Sequence, residues 1–556
     1  MKKYLALFLV LILMLNLFAA CSKEEAENVD NNAEEPVNVE NTDPGNADEE
    51  GNTDEQTTPI ESLTIVTDVW EGMDMFLIDS WVDGAQSLAA DSILAMADDG
   101  RALPNIASES VWSEDGLTWT LTFPEGMYYS TGEQLEPEDV VASIEHGLEY
   151  STWADGYKTI ESMEVDGRNV IIHLSEYQAD MEYNFMSSFV GVIDKDELDT
   201  MSNDELLWGC HPYGAYYVEE FSPGAYVTLK ANPGYVTHNP LVENKGKMPV
   251  ETLNIVMGGE DFTYYTGLIN GDYDLLNSAP ADYLEDLQAS DAVTLVESCC
   301  AMIGYAEFNI KNEFLADKNV RMAIIRGFDR DKYEQYSNDY NDASYCLVQN
   351  NCLNYDSEVE EYYKENYGYD VEAAKQYLAD SGWSDTDGDG YVDKDGKKLS
   401  FVFSSRDANN SIIVAQALQE DLKAIGIEMT ITTQDWSYVN QDVREGNYDM
   451  AFLNLGWSEP MLLVDNFCNR SDIAAECSNL DREGYLELVA KARATVDYDE
   501  RTEVISEIQY KLFDYATILP LIRGTDYRCW NSKLQGVIST PTGSLYLNDV
   551  YMAEKN

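Results

Sequence analysis

Apolar and polar side chains alternate most sharply at residues 117–123. Leu117, Trp119, Leu121 and Phe123 fall on one side there, and Thr118, Thr120 and Thr122 on the other. A period of two marks a half-buried strand. The flanking Glu114-Asp115-Gly116 and Pro124-Glu125-Gly126 are turn sequences. Short apolar stretches at 63–66, 170–174, 226–230 and 253–257 predict further strands in a mixed first half with few long helices. Between them, Glu136-Pro137-Glu138-Asp139 predicts a helix start, because proline and carboxylates suit a first turn. From about residue 300 helix and strand alternate: helices are predicted over 319–328, 371–378 and 502–513, and strands over 399–403, 449–455 and 518–521. Residues 411–425 put Ile412, Ala415, Leu418, Leu422 and Ile425 on one helical face, and Gly426 ends the run. Ile427, Met429 and Ile431 then alternate as the next strand, which completes a βαβ unit with a right-handed crossover.

Two stretches depart from this pattern. Tyr4 to Ala20 is almost continuously apolar, with Lys2 and Lys3 before it and the small residues Ala19 and Ala20 just ahead of Cys21. That profile reads as a secretory signal, and the run is marginal for a permanent span, which takes about 20 apolar residues. Residues 22–61 are Asn, Asp, Glu, Thr, Pro and Gly with almost no large apolar side chain. They cannot bury enough surface to offset ordering entropy, so they predict a disordered acidic linker.

Composition narrows the partners. With 34 Lys and Arg against 103 Asp and Glu, the formal net charge of −69 argues against nucleic acid and anionic lipid surfaces. We read it as solubility and mutual repulsion, in keeping with a monomer, rather than as attraction for a cationic solute. The 556 residues exceed a single core, which stops growing near roughly 250–300 residues. Beyond Cys21 there are eight cysteines, and an exported location permits disulfides. Cys346/Cys352 and Cys468/Cys477 are the favoured local bridges, and no CxxC pair stands at zinc spacing. A secreted hydrolase is the rival class. The chain has no GxSxG, HExxH or P-loop, and its four histidines are not at metal-pair spacing. Paired carboxylates keep a glycosidase formally open.

Ligands of open α/β sheets bind beyond the carboxyl ends of the strands. Trp436, soon after Ile431, and Trp457, directly after Gly456, stand at such ends, as cleft walls or as core. A separate loop, Asp385-Thr-Asp387-Gly-Asp389-Gly390-Tyr391-Val-Asp393, carries carboxylates at positions 1, 3, 5 and 9 with glycine at 6. It resembles a structural calcium loop, although position 12 is Gly396 rather than glutamate. A solvated Asx turn is the other reading.

Two resemblances complete the picture. Leu17-Phe18-Ala19-Ala20-Cys21 resembles the lipobox of bacterial lipoproteins, in which the cysteine thiol is lipidated; Phe18 stands where that family has leucine. Arg101-Ala-Leu-Pro104-Asn-Ile-Ala107-Ser-Glu109 through Trp119, Gly132 and Pro137-Glu-Asp139-Val140 resembles the oligopeptide/dipeptide class (family 5) of extracytoplasmic solute-binding proteins. His211-Pro212-Tyr213-Gly214, Ala231-Asn232-Pro233-Gly234-Tyr235, Val320-Arg321-Met-Ala323, Asp329-Arg330, Gly382-Trp383 and Gly456-Trp457 follow in that family's order.

The resemblance implies an α/β, two-lobed periplasmic-binding-protein-like class II fold with an extra subdomain in the first lobe. Its parts would be a lipoprotein signal (1–21), the linker (22–61), a first lobe (62–296), a second lobe (297–524) and a return to the first lobe (525–556). It implies a non-enzymatic, lipid-anchored, extracytoplasmic protein that needs no cofactor. Such a protein passes a small solute, peptide by class, to the membrane permease of an ATP-binding-cassette importer. In the family's peptide binders an aspartate shortly after Gly-Trp holds the ligand's amino terminus. Here Trp457 is followed by Ser458, Glu459 and Pro460, with proline at the aligned place. Glu459 could serve instead, since a carboxylate bonds an ammonium strongly, or the ligand has no free amino terminus.

Overall fold

The computed structural model describes residues 60–553 apart from 68–69, 79–84, 98–99, 188, 299–301, 335–340, 351, 407–408, 457–458, 462, 465–481 and 541–542. Two sheets organise these residues. The first has seven strands in the order Val293–Ser298, Asp526–Asn531, Leu275–Leu276, Ile60–Val66, Val250–Val256, Tyr226–Ala231 and Tyr216–Ser222. Ile60–Val66 runs parallel to both of its neighbours. The second has six, in the order Asn341–Ala343, Ile518–Gly524, Met302–Phe308, Met450–Gly456, Ser400–Arg406 and Glu428–Gln434. The chain crosses from first to second sheet between Ser298 and Met302, and back between Gly524 and Asp526.

The alternating stretch becomes the centre of a four-stranded antiparallel sheet set within the first half. Thr118–Thr122 pairs with Glu109–Trp112 on one side and Asn169–Leu174 on the other. Trp119, Leu121 and Phe123 are fully buried; such side chains contribute roughly 1.5–3 kcal/mol each. Leu117 departs from the expectation and is 38% exposed. The strand begins only at Thr118, and the Leu117 N–H is spent on the Asp115 carboxylate at the turn. Behind this sheet packs the helix Pro137–Tyr150, which starts with proline at its first position and a capping box between Glu136 and Asp139.

In the second half, Ser400–Arg406, the helix Asn409–Ala424 and Glu428–Gln434 form the expected βαβ unit, with the two strands parallel in register from Ser400/Glu428 to Arg406/Gln434. Two buried arginines fasten the helices of this half to their surroundings. Arg321, on the helix Lys318–Gly327, donates to the carbonyls of Leu315, Ala316, Tyr515 and Ala516. Arg330 donates to Pro520 O at 2.7 Å and to the Tyr363 hydroxyl at 2.8 Å. Both belong to the motifs that carried the resemblance, and both bond protein groups rather than a ligand. The expected Cys346–Cys352 bridge is absent: both are buried thiols that pack as small apolar side chains in the second-half core. Cys468 and Cys477 lie outside the described residues.

Candidate functional site

A cavity of about 580 Å³ opens where the small antiparallel sheet faces the second half of the chain. Its first wall comes from residues 100–111 and from Tyr177 to Met186, which include the short helix Met181–Met186. Its second wall is Leu353, Glu459, Val496, Tyr498 and Arg501.

Arg501 sits in the first turn of the helix Tyr498–Tyr515, on the same stripe as the buried Ile505, Ile508 and Leu512. A guanidinium there is tolerated because its partners are built in. Nη2 donates to Glu459 Oε1 at 2.5 Å, and Nη1 donates to Asn354 Oδ1 at 2.9 Å. Asn354 is fully buried in the left-handed region, at φ 55°, a conformation asparagine adopts more readily than most residues. Its amide donates to Tyr498 O and Thr502 Oγ1, which locks it to the same helix. Glu459 also accepts the Met461 N–H at 2.9 Å. Burial pushes the Glu459 carboxyl up, and the Arg501 charge pulls against it. Burial pulls Arg501 down, but Glu459, Asp180 and Tyr177 outweigh it, so the guanidinium is held charged.

Facing this pair are the groups of the first wall. Trp112 stacks flat on Trp119 at 4.7 Å and donates its indole N–H to Glu182 Oε1 at 2.6 Å. Burial raises Glu182, while Trp112 and the more distant Arg501 lower it. Tyr177, edge-on to Trp112 at 5.6 Å, is pushed up to about 12, chiefly by burial. Asp180 is 3% exposed, and its Oδ1 meets no hydrogen-bond donor. Leu353 reaches across from the second half into the first-half core, against Gly100, where a Cβ would lie 2.8 Å from Leu353 Cγ.

The sequence candidates are distributed unevenly around this cavity. Glu459 lines it, but its carboxylate is already committed to Arg501. Trp436 opens the helix Trp436–Glu445 and packs, partly buried, against the second-half core rather than lining the cavity. Trp457, Ser458 and Cys21 lie outside the described residues. In the acidic loop, Asp385, Asp387 and Asp393 bring one carboxylate oxygen each within 4.8 Å of the others. Those carboxylates also accept loop donors: Gly388 and Gly390 on Asp385, Asp389 on Asp387, and Thr386 on Asp393. Asp389 pairs with Lys398 at 2.7 Å, and Tyr391 lies under the same ammonium. Sequence reasoning missed Arg501, Asp180 and Glu182. The readable signal was Arg501, a cation on an apolar stripe and at the helix end whose dipole disfavours it.

A cavity walled from two halves of a chain, each with its own sheet and core, is the architecture of a binding protein that encloses a small molecule. Residues 101–473 match the model of the bacterial extracellular solute-binding proteins, family 5 (middle region), and the chain belongs to that family. Among curated relatives, the oligopeptide-binding protein AppA of Bacillus subtilis is 26% identical over 379 residues, which is 66% of this chain and 68% of that one. Among solved structures, NikA of Brucella suis in complex with Fe(III)-EDTA superposes with a TM-score of 0.75 at 19% identity, covering 88% of this chain and 99% of NikA. The substrate-binding protein CtaP of Listeria monocytogenes gives 0.75 at 20% identity, covering 89% and 100%. The fold is therefore the two-lobed α/β fold of this family, with the small antiparallel sheet as an additional layer of the first lobe.

Proposed function

We propose that the chain is the substrate-binding lipoprotein of an ATP-binding-cassette importer, which captures a peptide or peptide-like solute by closing its lobes. The carrying observation is the cavity of about 580 Å³ with walls from both lobes, within the roughly 300–1,000 Å³ of small-molecule sites. The aromatic rings of Tyr177, Tyr183 and Tyr498 beside a few charged groups suit a ligand with apolar and polar parts. The solute leaves unaltered, so no catalytic residue or cofactor is assigned. The partner is the importer's membrane permease, and the protein works as an extracytoplasmic monomer tethered through a lipid on Cys21.

A non-peptide solute is the second reading, favoured by the commitment of Glu459 to Arg501 and by a neighbour that holds a metal chelate. Native mass spectrometry of the purified protein decides between them. A co-purifying peptide mass carries the first reading and a metal complex or sugar the second; a reaction product from either sinks both. Cys21→Ala is expected to move the protein from the membrane fraction to the soluble one, and retention at the membrane would remove the lipid anchor.

A further inference from the structure

Negative charge in and directly behind the cavity wall exceeds what its own cations offset. Among the described residues, Glu182 and Glu459 line the cavity and the buried Asp180 acts on Glu459 and Arg501 from behind, three carboxylates against the single buried guanidinium of Arg501. Arg501 is committed to Glu459 and Asn354. At the rim, the exposed Arg101 and Glu109 carry opposite charges and cancel to first order. Asp180 and Glu182 are left over, both from the first lobe and separated by one residue.

Asp180 is the sharper case. It precedes the helix Met181–Met186 but makes no capping bond with it, and its buried Oδ1 has no donor. Its charge acts on Arg501, Glu459 and Tyr177, all of which line the cavity. Glu182 is partly buried, lines the cavity, and has one donor, the indole of Trp112. A buried carboxylate without a partner is costly, and a cation supplied from outside removes that cost. Tyr177 adds an aromatic face beside the same carboxylates, a surface that attracts cationic groups.

We infer that the cavity selects a solute bearing a positively charged nitrogen, an ammonium or a guanidinium, and that Glu182 at the first-lobe wall contacts it while the charge of Asp180, behind that wall, reinforces the attraction. The inference rests on the solute-binding reading above and names the chemistry of its ligand. It also moves the cation-holding role from the second lobe, where Glu459 is already neutralised, to the opposite wall.

Calorimetry on the purified full chain tests it with defined probes: trilysine, N-acetyl-trilysine amide, trialanine, N-acetyl-trialanine amide, triglutamate and spermidine. Cationic probes are expected to bind, and Asp180→Asn and Glu182→Gln each to weaken them about tenfold or more. Circular dichroism should be unchanged in at least one of the two variants, and affinity for any capped neutral peptide should not move. Trialanine binding that is lost on acetylation assigns the cation to the α-ammonium; retention by N-acetyl-trilysine amide assigns it to a side chain. Spermidine binding without any peptide binding would keep the cation site and remove the peptide reading. Triglutamate or capped trialanine binding as tightly as trilysine, no cationic probe binding at all, or full cation affinity in both variants would overturn the inference.

Discussion

Asp91 shows how far burial can move a single group. It lies within the first-lobe core, its Oδ2 accepts the Tyr235 hydroxyl at 2.6 Å, and burial pushes its carboxyl up to about 7 despite that bond. The unfolded chain releases this proton near pH 4, while the folded protein keeps it until about pH 7. Between those values the folded state binds more protons, so this residue lowers stability as pH rises through the window. Asp91→Asn keeps an acceptor for Tyr235 and removes the titration. Urea unfolding at pH 4.5 to 7.5 is expected to show the wild type losing up to about 3 kcal/mol relative to the variant; parallel profiles would show that Asp91 ionises normally. At the same scale lies the difference between what the sequence disclosed and what it hid. Arg321, Arg330 and Asn232 were visible as motif residues, yet each bonds backbone or buried protein groups. The cavity residues Asp180 and Glu182 were two carboxylates among 103 acidic residues, and only the fold brings them opposite Arg501.

Among the elements, the helix Tyr498–Tyr515 couples local chemistry to the site. Its N-cap Asp497 accepts the Glu500 N–H at 2.9 Å, and the turn so fixed carries Arg501 to the cavity. Asp497→Ala is expected to cost about 1 kcal/mol in chemical denaturation, with a weakened hold on whatever solute co-purifies. A stability loss with solute retention intact would confine Asp497 to capping. The sequence predicted this helix only over 502–513, because Tyr498-Asp499-Glu500-Arg501 lacks apolar periodicity. Elements with strong period were legible: the buried face of Thr118–Thr122 and the βαβ unit at 400–434 both follow from spacing alone. Spacing misled at Cys346 and Cys352, where nearness in sequence suggested a bridge and apolar packing decided otherwise.

At the scale of the whole molecule, Leu353 is a buried apolar contact that crosses the cleft. It is 7% exposed and belongs to the first-lobe cluster, although it comes from the second half of the chain. Leu353→Ala is expected to favour separated lobes and so enlarge the radius of gyration of solute-free protein in X-ray scattering. An unchanged radius with a lower melting temperature would mean that Leu353 is fixed core in every state. The two-lobed class was legible from motif order and from the change of period near residue 300. The partners of the long-range strands were not, because their pairing joins positions hundreds of residues apart, as Ser298 with Asp526.

That pairing bears on how the protein is made. Asp526–Asn531, which follows the whole of the second sheet along the chain, lies between Val293–Ser298 and Leu275–Leu276 and joins the former to the rest of its sheet. During synthesis the first lobe therefore waits for a strand made after the second lobe, and contacts so distant in sequence form slowly. A lobe whose sheet is closed by a strand from beyond the other lobe stays open-edged until both have been made, so the two lobes are completed together rather than in turn.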